Sequence, residues 1–153
     1  MNTVSKIEEL NIDGFQIVRA DMFAHMPRKS DSTCSLWPTK ISFSKLCLEQ
    51  LNNCEFIRIE VNPKTKYLLL VPVTSQDKDS IRWVKGAKMQ YIRNLESKAF
   101  GAMIYKTWKL DTGFNYRAQG SLVSANKKIR MLFDFTNAEM WRNKDAARES
   151  EKK

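Results

Sequence analysis

One histidine, three cysteines, five glycines and four prolines are spread through 153 residues, and each scarcity removes a class of chemistry. The histidine, His25, stands beside Met26 and Pro27, and no serine lies in a G-x-S-x-G turn, so no Ser-His-Asp arrangement is legible. Gly14, Gly86, Gly101, Gly113 and Gly120 are too far apart for a G-x-G-x-x-G or Walker loop, which argues against nucleotide hydrolysis. Cys34, Cys47 and Cys54 are odd in number and lack C-x-x-C spacing, which argues against a disulfide framework and against a zinc site. They read as reduced thiols. Asp77 and Asp79 have no further oxygen ligands near them in sequence and read as solvated. The longest apolar run, Tyr67 to Val73, is far short of the roughly 20 residues of a membrane helix. Met1 to Leu10 carries Glu8 and Glu9 and no apolar secretory core. These absences lead to the expectation of a cytoplasmic protein with no membrane span, cofactor, metal or enzymatic activity.

Positive charge is abundant. The net charge is +9, and the block 81–133 accounts for it, with 11 basic residues against Glu96 and Asp111. A phosphate-binding surface has such a footprint, because each neutralised phosphate releases counterions. The candidate nucleic-acid contacts are Arg82, Lys85, Lys88, Arg93, Arg117, Lys127, Lys128 and Arg130. An acidic protein surface and simple solubility are the competing readings.

The hydrophobic pattern describes an α+β chain. Phe15-Gln16-Ile17-Val18-Arg19 alternates and predicts a strand, followed by a mobile loop from His25 to Thr33. Lys40 to Phe43 predicts a strand running into Ser44, which caps a helix from Lys45 to Asn52. Glu55 to Val61 and Tyr67 to Val73 form a hairpin, and Thr74 to Ser80 is the best boundary between halves. Gln90 to Leu95 predicts another strand, Ser97 a second cap, and Lys98 to about Lys109 a helix. Phe114 to Phe135 predicts a second hairpin, and Thr136 begins a terminal helix through Arg148. The expectation is one domain over 1–153, with βαββ pseudo-repeat halves at 37–74 and 90–136, a mainly antiparallel sheet or split barrel, and a disordered tail at 149–153. Trp108 and Trp141 read as core residues. Trp83 and Tyr116, interleaved with Arg82, Lys85 and Arg117, read as exposed enough to stack on bases.

Lys40-Ile41-Ser42-Phe43-Ser44-Lys45 through Leu51, then Phe56 to Val61 and Tyr67 to Pro72, resembles the AbrB-like swapped-hairpin pattern of a short strand, a helix ending in Leu, and a hairpin finishing near Pro. Two such units in one chain look similar to MraZ-type regulators. The resemblance implies a DNA-binding dimer or pseudo-dimer with a role in transcription regulation. Ser44 stands where the pattern has Pro, and no individual contact residue is carried over. The functional expectation is therefore DNA binding through the basic second half, with the Phe114 to Phe135 hairpin as base reader. The alternative is a non-enzymatic adaptor or inhibitor for an acidic protein partner, docking through an edge strand such as Phe56 to Val61.

Overall fold

Period-two alternation dominates the chain after residue 31, and the computed structural model, which describes residues 8–19, 22 and 31–144, turns it into eleven short strands and two helices. In chain order they are β1 (Thr33–Trp37), β2 (Lys40–Phe43), α1 (Lys45–Gln50), β3 (Phe56–Asn62), β4 (Tyr67–Val73), β5 (Ile81–Arg82), β6 (Val84–Lys85), β7 (Tyr91–Ile92), β8 (Leu95–Glu96), α2 (Lys98–Thr107), β9 (Phe114–Ala125), β10 (Lys128–Asp134) and β11 (Glu139–Arg142). Nine strands form one antiparallel sheet in the order β5-β3-β4-β10-β9-β1-β2-β8, with β11 also on β9, curled into a half-barrel. β6 and β7 pair separately.

The inner face of this sheet is the core. Ile57 on β3, Leu68 and Leu70 on β4, and Met131 and Phe133 on β10 are all sealed from solvent. Register puts Leu68 opposite Phe133 and Leu70 opposite Met131, so alternation makes a continuous apolar layer. Phe43 joins that layer to Trp83, with ring centroids 5.7 Å from Phe133 and 5.8 Å from Trp83. α2 lies across the β1–β2 turn, where a side chain at Gly101 would run into the Pro38 carbonyl. Ser97 caps α2 by accepting the Phe100 N–H at 3.0 Å.

β9 is the strand on which the architecture turns. Phe114 to Arg117 pairs with β11, Tyr116 to Gln119 pairs with β1, and Gly120 to Ala125 pairs with β10. The exchange of partners centres on Gly120, where an added Cβ would meet Phe133 at 2.7 Å and Met131 at 3.0 Å. A strand that exchanges partners in a curled sheet needs a corner, and glycine here lets the rings close over it.

Several expectations are corrected. Phe15 to Arg19 is not a strand, and Ile17 is 94% exposed. α1 stops at Gln50 and α2 at Thr107, each short of the predicted end. Ser44 does not cap α1 through its side chain, because its Oγ is already used, accepting the Thr33 N–H at 2.9 Å and donating to the Asp31 carbonyl at 3.1 Å. The strand expected at Gln90 to Leu95 is two dipeptide strands in different sheets. The residues after Thr136 form β11 instead of a helix over 139–142, because Trp141 packs edge-on against Trp37 at 5.8 Å. The remainder of that expected helix from 145 onward, the tail at 149–153, and the loop residues 23–30 with His25 lie outside the described residues. No helix among the described residues is long and apolar enough to cross a membrane.

Candidate nucleic-acid interface

The register of β10 holds the key to the basic residues. Its pairing with β4 covers Met131 to Asp134, whereas its pairing with β9 continues to Lys128 opposite Ala125. Residues 123–130 are therefore a two-stranded ribbon that runs beyond the third strand. Its tip is the dipeptide Asn126-Lys127, with φ of 52° and 65°, the conformation of a type I′ hairpin turn. Along the hairpin the face that is core at the root opens toward the tip: Leu122, opposite sealed Met131, is already 47% exposed, and Ile129 on the ribbon is 53% exposed. Lys127 and Lys128 are exposed and make no ion pair within the described residues.

Where β10 leaves β4, a cleft of about 570 Å³ opens between Val71 to Thr74 on one side and Lys128 and Arg130 on the other, closed below by Arg58, Gln76 and Asp77. Arg58 is fully engaged there. It grips Glu60 through Nε at 3.0 Å and Nη2 at 2.7 Å, and reaches Asp77 through Nη1. These hydrogen bonds hold its guanidinium above the ordinary arginine range. Asp77 is shifted the other way, below the usual carboxylate range, first because the Asp79 N–H donates to it at 2.8 Å and then because Arg58 faces it. Arg130 sits 3.6 Å from Glu60 and is mostly buried, with a buried Nε that has no hydrogen-bond partner. Three cations against two carboxylates leave the cleft net positive, and Lys128 connects it to the ribbon tip.

The other candidates lie elsewhere. Lys85, Lys88 and Arg93 are exposed on the small β6–β7 sheet and its loop, and Arg82 on β5 is paired with Glu55 at 2.8 Å. Arg117 is woven into the far end of β9: its Nε donates to Ser35 at 3.0 Å, and its guanidinium lies 4.7 Å from the Trp141 ring centre. The eight residues therefore divide into a ribbon group (Lys127, Lys128, Arg130), a β5–β7 group (Arg82, Lys85, Lys88, Arg93), and Arg117 in a scaffold role. Arg58 in the cleft was not legible as a site residue, because it falls outside the basic block in sequence and only strand pairing brings it there.

The expected base-stacking aromatics are corrected as well. Trp83 is sealed, its indole donating to the Cys54 carbonyl at 2.8 Å, and Tyr116 is buried with its hydroxyl accepting from the Asp111 N–H. Charged neighbours misled the reading, because successive strand residues point to opposite faces. Trp108 is buried as expected, donating to the Asn62 carbonyl at 2.9 Å, while Trp141, expected in the core, is half-exposed. Cys34 and Cys47 are buried, and burial pushes both thiols up, with Cys47 adding to the shift at Cys34. Among the described residues, no three His, Cys, Asp or Glu side chains converge as metal ligands. Comparison with protein-family models, with curated proteins and with solved structures gives no match.

Proposed function

We propose that this protein binds duplex DNA in a regulatory role, with the β9–β10 ribbon as the element that enters the major groove. The observation that carries the reading is the free two-stranded ribbon tipped by Lys127 and Lys128. The major groove admits a two-stranded ribbon, and lysines at its end meet the flanking phosphates. Arg130 and Arg58 then stiffen the base of the ribbon, and Lys85, Lys88 and Arg93 extend the positive field that steers encounter. The βαββ order recurs as β2-α1-β3-β4 and β8-α2-β9-β10, and β2 with β8 and β4 with β10 are antiparallel pairs across the two units. That element order is what favours the pseudo-dimer reading, on which the AbrB-like resemblance would add to the case for DNA binding.

A second reading draws on the same hairpin: Ile129 on the ribbon and Leu122 at its base are exposed apolar residues on one face, suited to an acidic protein surface with an apolar centre. Fluorescence anisotropy with a 30-base-pair duplex separates the two. DNA binding gives an affinity that falls log-linearly with salt and is lost when Lys127, Lys128 and Arg130 are changed to Glu. Absence of duplex binding at low salt overturns the DNA reading.

A further inference from the structure

The described residues before 23 break the usual distribution of apolar surface. Leu10, Ile12, Phe15, Ile17, Val18 and Met22 are all strongly exposed, six large apolar side chains within thirteen described residues, whereas 31–144 exposes only seven. Isolated apolar side chains at a surface need no explanation, but such a concentration marks a segment that has a binding place. Phe15 and Ile17 stand two apart, so in an extended conformation they project to one side.

The half-barrel offers a place of matching character beside two strand edges. Its sheet does not close: β5 covers β3 only at Phe56 and Ile57, leaving Arg58 to Asn62 paired on one side alone, and β8 pairs only with β2. Between these two edges lies a groove of about 470 Å³. Ile59 and Val61 from β3 form one wall, Ile41 and Leu95 the other, and Phe100 and Met103 of α2 the floor. It is an apolar slot flanked by two strand edges that have no strand partner on that side, the setting into which an extended segment adds as a strand.

We infer that the slot is the docking site of this chain's own segment around Phe15 to Val18, which closes the half-barrel as an added strand with Phe15 and Ile17 in the groove. Reach favours the same chain over a second copy. β1 begins at Thr33 and is separated from the slot by β2 and β8, about 15 Å at the usual strand spacing. The stretch from Arg19 to Ser32 spans up to about 40 Å when extended. A tether that long and no longer gives a local concentration on the order of millimolar, which a separate molecule does not match at ordinary protein concentration.

The full chain with Ile17→Cys, Met103→Cys and Cys54→Ala tests this under mild oxidation. The expected product is a single-chain cross-link formed about 10-fold or more faster than in a control pairing Ile17→Cys with Thr112→Cys. Equal rates for the two pairs overturn the inference, and so does a cross-link joining two chains, which would assign the slot to a second copy. Hydrogen exchange gives an independent reading: Phe15→Asp with Ile17→Asp is expected to speed exchange at 58–62 about 10-fold or more while leaving Leu68, Leu70, Met131 and Phe133 protected. Unchanged exchange at 58–62 overturns it.

Discussion

The root and the tip of the β9–β10 hairpin share one hydrogen-bond ladder and have opposite surroundings. At the root, Ala118, Met131 and Phe133 are enclosed between β1 on one side and β4 on the other. Toward the tip, Ile129 keeps the same inward-facing parity yet meets solvent, opposite Ser124 and beyond the last residue that β4 covers. An isolated two-stranded ribbon is marginal in water, so the tip borrows its order from the root. Burial places stability at one end of the hairpin and leaves charge and access at the other.

The largest test of this contrast is Phe133→Ala. Removing a sealed ring from the root is expected to cost about 3–5 kcal/mol, read as a lower urea midpoint, and to abolish duplex binding only because the ribbon loses its anchor. Reversing Lys127 and Lys128 to Glu should do the converse. The urea midpoint stays within about 0.5 kcal/mol of wild type. The slope of log affinity against log salt becomes shallower by about 2, one contact per lysine. A shift in stability comparable to that of Phe133→Ala would merge root and tip into one energetic unit. Lys127→Gly sharpens the comparison further, since a non-glycine residue at positive φ is strained: stability is expected to rise by about 1 kcal/mol while the salt slope loses about 1. Calorimetry and anisotropy on the same variant check the two signs together.

The smallest expected effect concerns pH, and it belongs to the enclosed region alone. Cys34 and Cys47 have thiols raised by burial, so folding favours their neutral forms. That contribution is whole below the unfolded-chain value of about 8.5 and is lost as pH rises toward the folded values. Urea midpoints at pH 7.5 and 9.5 should show an alkaline fall that is smaller in Cys34→Ala. An equal fall in both proteins would take the buried thiols out of the account.

The sequence made the two long hairpins legible because 56–62 and the start of 114–125 alternate, and 67–73 is a continuous apolar run, each bounded by clear turns. The Ser97 cap was legible for the same reason, as local chemistry. Ser44 shows the limit: its local signal equals that of Ser97, yet a distant backbone N–H from Thr33 claims the hydroxyl. β1 was missed although Thr33-Cys34-Ser35-Leu36 alternates, because the polar run before it reads as loop. The dipeptide strands β5 to β8 carry too few residues for any period and exist through their partners alone. Of the site, the cations of the ribbon were visible in sequence, but their separation from Arg117 and their proximity to Arg58 depend on which strands pair.

The Asn115 side chain, with its amide oriented by its neighbours, accepts from the indoles of both Trp37 and Trp141 at 3.1 Å, and those rings stand 87° to one another. Two of the four tryptophans thus form a half-exposed optical pair on β1 and β11, while Trp83 and Trp108 are dry and tied to carbonyls. The molecule therefore carries its own two-channel fluorophore set: a collisional quencher such as iodide reads the β11 end alone, and the unquenched emission reads the core. Peeling of β11 and global unfolding would then give distinct signals without any label.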